Sequence, residues 1–310
     1  MSTTRASPRS PRFPRRKLAP RGPPAHREPP NDRRRFLAWD DYRVEREWRR
    51  YEGTPLRDLY RQLRERFLVR HRPTKPGRSL ELGPGPGRFT GLIGHPEDRI
   101  ALLELSRAML QRIRANVGPG HAPSAELVQG DAVAPPFRLA QFHRVALLGN
   151  VLGFAEREAP VLLTRSAGLV SPGGRLLIEF VAGPGERSRY LHRLPAGAIA
   201  RLLAAPVRAV LPRVEREGFD AARERESSGR HVRRFERAEI EHGLSSAGLE
   251  VKEIIAVAPL LGNDASKLGP IRTNPIAWEH LVDLEEIVGR DPRRLERAAA
   301  VLIAAERRAG

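Results

Sequence analysis

One stretch constrains the fold more than any other. A short apolar strand, Arg78–Leu82, runs directly into Gly83-Pro84-Gly85-Pro86-Gly87 and then into a helix-forming segment. Glycines placed just after a buried strand let the backbone turn tightly and let a ligand approach where a Cβ would clash, while the next helix supplies free N–H groups. A second strand, Arg99–Glu104, ends on an acid 21 residues after Gly83, where a carboxylate can accept hydrogen bonds from vicinal ribose hydroxyls. Ser106 then reads as an N-cap, Met109, Leu110 and Ile113 as an inner helical face, and Gly118 as the residue past the helix end. Further strands are expected at 125–128, 145–148, 175–181 and 250–257. Strands alternating with helices predict an α/β fold, a doubly wound and mostly parallel sheet covered on both faces.

Spacing narrows the ligand. A dinucleotide fingerprint requires Gly-x-Gly-x-x-Gly, but Arg88 or Thr90 occupies the final slot, depending on whether counting starts at Gly83 or Gly85. A phosphate-binding loop of the Gly-Lys-Ser/Thr type is also missing, and no Tyr is followed four residues later by Lys. What remains is an acid, Glu81, ahead of Gly-x-Gly-x-Gly. The third strand leads into Gln129-Gly130-Asp131-Ala132, where Asp131 either meets an exocyclic amine or serves as a turn residue.

Charge says less than its size suggests. The chain has 55 Lys and Arg against 37 Asp and Glu, a net +18, but residues 1–35 hold eleven basic and two acidic side chains, leaving +9 for the rest. That stretch also has eight prolines and few large apolar residues, so it is expected to be a disordered basic arm. Leu56, Leu59, Tyr60, Leu63 and Phe67 form a helical stripe, giving an N-terminal helical cap over 36–75. The main domain is expected over 76–310, with an Arg-rich insertion at 184–235 acting as a lid and containing a Ser227-Ser228-Gly229 turn. Trp278, Leu281, Val282 and Ile287 give a later helical stripe, and the segment after Asp291-Pro292 can be helix or strand. The chain has no Cys, which excludes disulfides, thiolate nucleophiles and thiolate metal sites. No apolar run reaches the roughly 20 residues of a membrane helix, so a soluble, cytoplasmic protein is expected.

These motifs, ELGPGPGRFT, ALLELSRAML, LVQGDA and LVSPGGRLLIEF, resemble those of class I S-adenosylmethionine-dependent methyltransferases, in order and over residues 76–182. The resemblance implies a Rossmann-like seven-stranded sheet with a late antiparallel strand, and S-adenosylmethionine as methyl donor. It implies that Glu81 faces the methionine amino group, that Gly83, Gly85 and Gly87 line the methionine and ribose, and that Glu104 holds the ribose hydroxyls. Leu105 would pack on adenine, and Asp131 with Ala132 would read its edge. Asn150 would stand where donor and acceptor meet. The family pattern is departed from at Phe142-His143-Arg144-Val145, which lacks the usual acid at the start of the fourth strand. Asn150 opens no Asn-Pro-Pro-aromatic motif, so amino-methylation of DNA is not supported, and the acid cluster of metal-assisted catechol-type transfer is also missing, so no metal is expected.

Methyl transfer needs orientation above all, with a base only for a hydroxyl or protonated amine. Tyr190, His192 and His231 are candidate bases with structural alternatives, and Tyr42 and Tyr51 are candidates to close over the donor. His143 reads as a surface residue at a strand start. The acceptor is expected to be a small molecule enclosed by the lid. The alternatives are an RNA methyltransferase whose basic arm contacts phosphates, and a non-catalytic partner subunit with the donor fold.

Overall fold

The computed structural model describes residues 40–116, 125–183, 186–221, 233–261, 265–295 and 298–309. The basic arm, His231 and the Ser227-Ser228-Gly229 turn lie outside the described residues.

Nine strands are present among the described residues: β1 Arg78–Leu82, β2 Arg99–Glu104, β3 Ala125–Gln129, β4 Phe142–Leu147, β5 Val170–Val181, β6 Glu186–Ser188, β7 Phe219–Ala221, β8 Leu249–Ala256 and β9 Ala300–Arg307. Seven of them build one sheet in the order β3-β2-β1-β4-β5-β9-β8. The first five in this order run parallel to one another, and β9 runs antiparallel to both β5 and β8. This is the Rossmann-like mostly parallel sheet expected, including its late antiparallel strand. β6 and β7 form a separate antiparallel pair.

The centre of the sheet is buried on both sides because its strands carry apolar side chains on both faces, which feed different clusters. Leu80, Leu82, Val145, Leu147, Leu176 and Ile178 face one way. Ile100, Leu102, Ala146 and Leu177 face the other, where the second of the two N-terminal helices packs. Those are α1 (Asp41–Trp48) and α2 (Pro55–Arg70). The second is started by Thr54, whose Oγ1 accepts a hydrogen bond from Arg57 N, and by Pro55 in the first turn. Its stripe is buried at Leu56, Leu59, Leu63 and Phe67, with Tyr60 packed at the margin.

The first cleft helices are α3 (Thr90–Ile93), α4 (Arg107–Asn116), α5 (Val151–Phe154) and α6 (Ala159–Leu169). Ser106 caps α4, its Oγ accepting from Met109 N at 3.3 Å. Residues 186–221 hold α7 (Arg189–Arg193), α8 (Ala196–Leu203) and α9 (Val207–Glu217) between β6 and β7. Their Leu191, Ile199, Leu203 and Val214 join the same apolar cluster as Leu268, Trp278 and Leu281. After α10 (Arg237–Ser246) and β8 come α11 (Leu268–Arg272), α12 (Pro275–Gly289) and α13 (Pro292–Leu295).

The segment after Asp291, left open between helix and strand, is both: one short turn, α13, and then β9. Two expectations are corrected. In α12, Trp278, Leu281 and Val282 are buried, but Ile287 is 43% exposed, because Leu284, Glu285 and Val288 take the inward positions of its last turns. β5 starts at Val170 rather than 175, since Phe142 on β4 already pairs with Val170 before the register shifts.

Candidate functional site

A cleft opens at the carboxyl ends of β1, β2 and β4, where an open α/β sheet usually takes its ligand. With its mouth it encloses about 1170 Å³. Glu81, Gly83, Gly85, Glu104, Leu105, Asp131 and Ala132 all line it; Gly87 and Asn150 do not.

The glycine loop works by conformation and by space. Gly83 and Gly85 have φ of +66° and +57°, a region costly for any residue with a Cβ. A Cβ on Gly83 would stand 2.7 Å from Val151 Cγ2, whereas nothing lies within 4 Å of one on Gly85. The first glycine is therefore needed for packing, and the second leaves room for a ligand. Gly87, at φ +80°, closes the turn by donating its N–H to Pro84 O.

Two buried carboxyls face this loop. Glu104 Oε2 accepts from Gly85 N at 3.0 Å and Oε1 from Ser106 N at 2.9 Å. Burial still pushes its pKa up to about 6, against the pull of these backbone donors. Each oxygen keeps a lone pair for a further donor. Glu81, on the β1 face turned toward α2, accepts from Thr90 Oγ1 at 2.6 Å. Burial pushes it to about 7, offset by that hydrogen bond and reinforced by the negative Glu104.

Asp131 reaches the cleft and also holds its own turn, Oδ1 accepting from Val133 N at 2.9 Å. Asn150, at φ +68°, uses Oδ1 to accept from Val181 N at 3.3 Å, so its side chain is engaged with the end of β5. Of the candidate bases, Tyr190 and His192 are not in the cleft lining: Tyr190 OH accepts from Arg213 at 3.4 Å, and the His192 carbonyl accepts from Lys267 Nζ. Tyr42 is 74% exposed. His143 stands near the opposite end of the sheet, where Nδ1 accepts from Arg78 N at 2.9 Å.

Several contributors are not among the sequence candidates. Glu47, near the end of α1, and Arg50, just after it, line the cleft and pair with each other at 2.8 Å. Trp48 lies between two guanidinium groups, Arg88 of the glycine loop at 4.7 Å and Arg112 of α4 at 5.4 Å from its ring centre. Glu179, near the end of β5, accepts from Gly149 N at 3.0 Å and pairs with Arg64 of α2. Its signal was present in the sequence, an acid closing an apolar strand in LLIEF, the same pattern that marks Glu104.

Residues 80–174 match the protein family described as methyltransferase domain. A malonyl-[acyl-carrier protein] O-methyltransferase from Methylococcus capsulatus is 33% identical over 134 residues, which are 41% of this chain and 45% of that relative. The match thus spans less than half the length of the curated relative. A solved structure of Haemonchus contortus phospholethanolamine N-methyltransferase 2 is similar with a TM-score of 0.50 at 16% identity, covering 90% of this chain and 61% of that one. A methyltransferase from Mesorhizobium loti gives a TM-score of 0.47 at 18% identity, covering 83% of this chain and all of that one. At 16% identity the likeness to the Haemonchus structure bears on the fold alone.

Proposed function

Since this chain carries the methyltransferase domain of the class I S-adenosylmethionine-dependent family over residues 80–174, we propose that it transfers the methyl group of S-adenosylmethionine to a small-molecule acceptor. The observation that carries this reading is Glu104: a buried carboxylate at the end of β2, fixed from both sides by the N–H groups of Gly85 and Ser106, beside open space at Gly85. That arrangement suits two vicinal hydroxyls better than a phosphate, which a carboxylate would repel.

Glu81 has the chemistry to receive the amino group of the methionine end. Its carboxyl is buried with a single hydroxyl partner, and a neighbouring ammonium would draw it into the ionised form. Leu105, Met109, Ala132 and Val133 provide apolar surface for adenine, with Asp131 at its edge. The donor supplies a methyl group already activated by the positive charge on sulfur. The chain's task is then to align an acceptor lone pair with the carbon–sulfur bond and to exclude water, and good orientation supplies much of the rate. Arg50 and Glu47 occupy the cleft rim, where polar groups can orient an acceptor.

Calorimetry with S-adenosylhomocysteine should show a dissociation constant on the order of micromolar, and Glu104→Ala should weaken it about tenfold or more. A wild-type protein that does not bind would sink this function. Acceptors are then screened by transfer of labelled methyl, starting with a malonyl thioester because the Methylococcus relative is a malonyl-[acyl-carrier protein] O-methyltransferase.

A further inference from the structure

One wall of the cleft has a support that the proposed chemistry does not use. After β4 the chain turns through two successive left-handed residues, Gly149 at φ +67° and Asn150 at φ +68°. The second is unfavourable for a residue with a Cβ, so the surroundings must hold it. Two hydrogen bonds from opposite directions do so: Gly149 N donates to Glu179 Oε2 at 3.0 Å, and Val181 N donates to Asn150 Oδ1 at 3.3 Å. Leu148, Gly149 and Val151 line the cleft, and Val151 packs against Gly83 of the glycine loop.

Glu179 is itself clamped. It is 3% exposed and Arg64 6% exposed, and the guanidinium spans both carboxylate oxygens, Nε to Oε2 at 2.8 Å and Nη2 to Oε1. Nη1 of the same guanidinium donates to Tyr60 O at 3.0 Å, which fixes it on its helix. Burial alone would raise the Glu179 pKa, but the charge and hydrogen bonds of Arg64 and the Gly149 N–H outweigh it and keep the carboxyl ionised. Because Arg64 sits on α2, downstream of the rim residues Glu47 and Arg50, a single carboxylate connects the N-terminal helices, β5 and the cleft wall.

We propose that Glu179 is the positioning residue of this cleft: clamped by Arg64, it fixes the Gly149–Asn150 turn in the conformation that receives the methionine end of the donor. The assignment of what the turn receives rests on the donor-binding function proposed above; the assignment of what holds the turn does not.

Hydrogen exchange of the ligand-free protein, read over residues 147–153, and calorimetry with S-adenosylhomocysteine test it together. Glu179→Gln should speed exchange of the turn roughly tenfold and weaken binding by about the same factor. Arg64→Lys, which keeps the charge but cannot bridge both oxygens, should fall between wild type and that variant. Glu104→Ala should lose affinity while its turn exchanges as in wild type, separating the ribose contact from the wall. The proposal is overturned if Glu179→Gln leaves the turn as protected as wild type, if it loosens the turn but binds as wild type does, or if α2 and β5 loosen as much as the turn, the mark of a role in packing alone. Should Glu179→Gln fail to fold, Arg64→Lys decides: a wild-type turn and affinity overturn the proposal. A wild-type protein that fails to bind would remove the donor function, while the exchange comparison would still decide whether Glu179 holds the turn.

Discussion

Glu81 reaches its buried position with a hydroxyl partner, whereas Glu104 has backbone donors at both oxygens, and the two therefore answer pH differently. With Glu81 at about 7 in the folded protein and 4.5 as its ordinary value, the native state holds the extra proton between those pH values. The contribution of this group to the stability of the ligand-free protein should therefore fall as pH rises from about 4.5 to 7, by up to about 3 kcal/mol, and then level off. Urea midpoints across that range measure it, and Glu81→Gln should shrink the slope to what Glu104, at about 6, and Glu285, at about 8, still contribute. Donor affinity should move the opposite way, rising with pH to about 7, because an ammonium partner binds the ionised carboxyl; calorimetry in buffers of different ionisation heat should show a proton released. Gly85→Ala should cost about 1–2 kcal/mol of stability through its positive φ. It should cost more in donor affinity, since its methyl group points into the open space that the ligand would fill. Glu104 and the glycines were legible because strand, loop and acid fall in one short window. Glu179 carries the same strand-end pattern, yet its partner Arg64 lies 115 residues away, and no local rule pairs them.

Among the elements, α2 is held to the sheet and to α12 by a charged clasp. Glu253 of β8 meets His71 at 2.5 Å, Arg70 at 3.0 Å and Arg290 at 3.1 Å. Burial alone would raise its pKa, but these three partners hold it at about 2. A depressed carboxylate contributes stability above about 4.5 and loses it as pH falls toward 2, so Glu253→Gln should lower the melting temperature at pH 7 and match wild type near pH 2. Helix α1 meets the glycine loop through Trp48, and its indole fluorescence should change when S-adenosylhomocysteine binds, a signal that Trp48→Phe should abolish. The helical stripe of α2 and the buried strands were legible as periodicity. Ile287 was not, since Glu285 takes an inward place in α12, where it accepts from the Leu260 and Leu261 N–H groups, a polar role that an apolar count passes over. The end of the chain stayed open between helix and strand because Ala-rich apolar sequence suits either, and only pairing with β5 and β8 decides it.

For the whole molecule, the net +18 conceals how much of its Arg is paired within the fold. Arg66 alone meets Glu279, Asp283 and Glu286, and Arg70 meets Glu253 and Glu286, so much of the Arg in the body serves as a tie between helices. A ligand bound only by the folded chain stabilises all of it. At about a hundred times its dissociation constant, S-adenosylhomocysteine should add about 2.7 kcal/mol and raise the melting temperature by several degrees. Glu104→Ala should remove that rise at the same concentration. The place of β9 in the sheet bears on how such a chain is made. It follows β8 in the chain yet stands between β5 and β8, so β8 has no neighbour in the sheet until residues 300–307 have been synthesised. During synthesis β1 to β5 can assemble first, while β8 and the helices after it wait with apolar surface uncovered. A translational pause shortly before residue 300 would prolong the exposure of an unpaired strand, making that stretch of the message the place where the yield of folded protein is most sensitive to elongation speed.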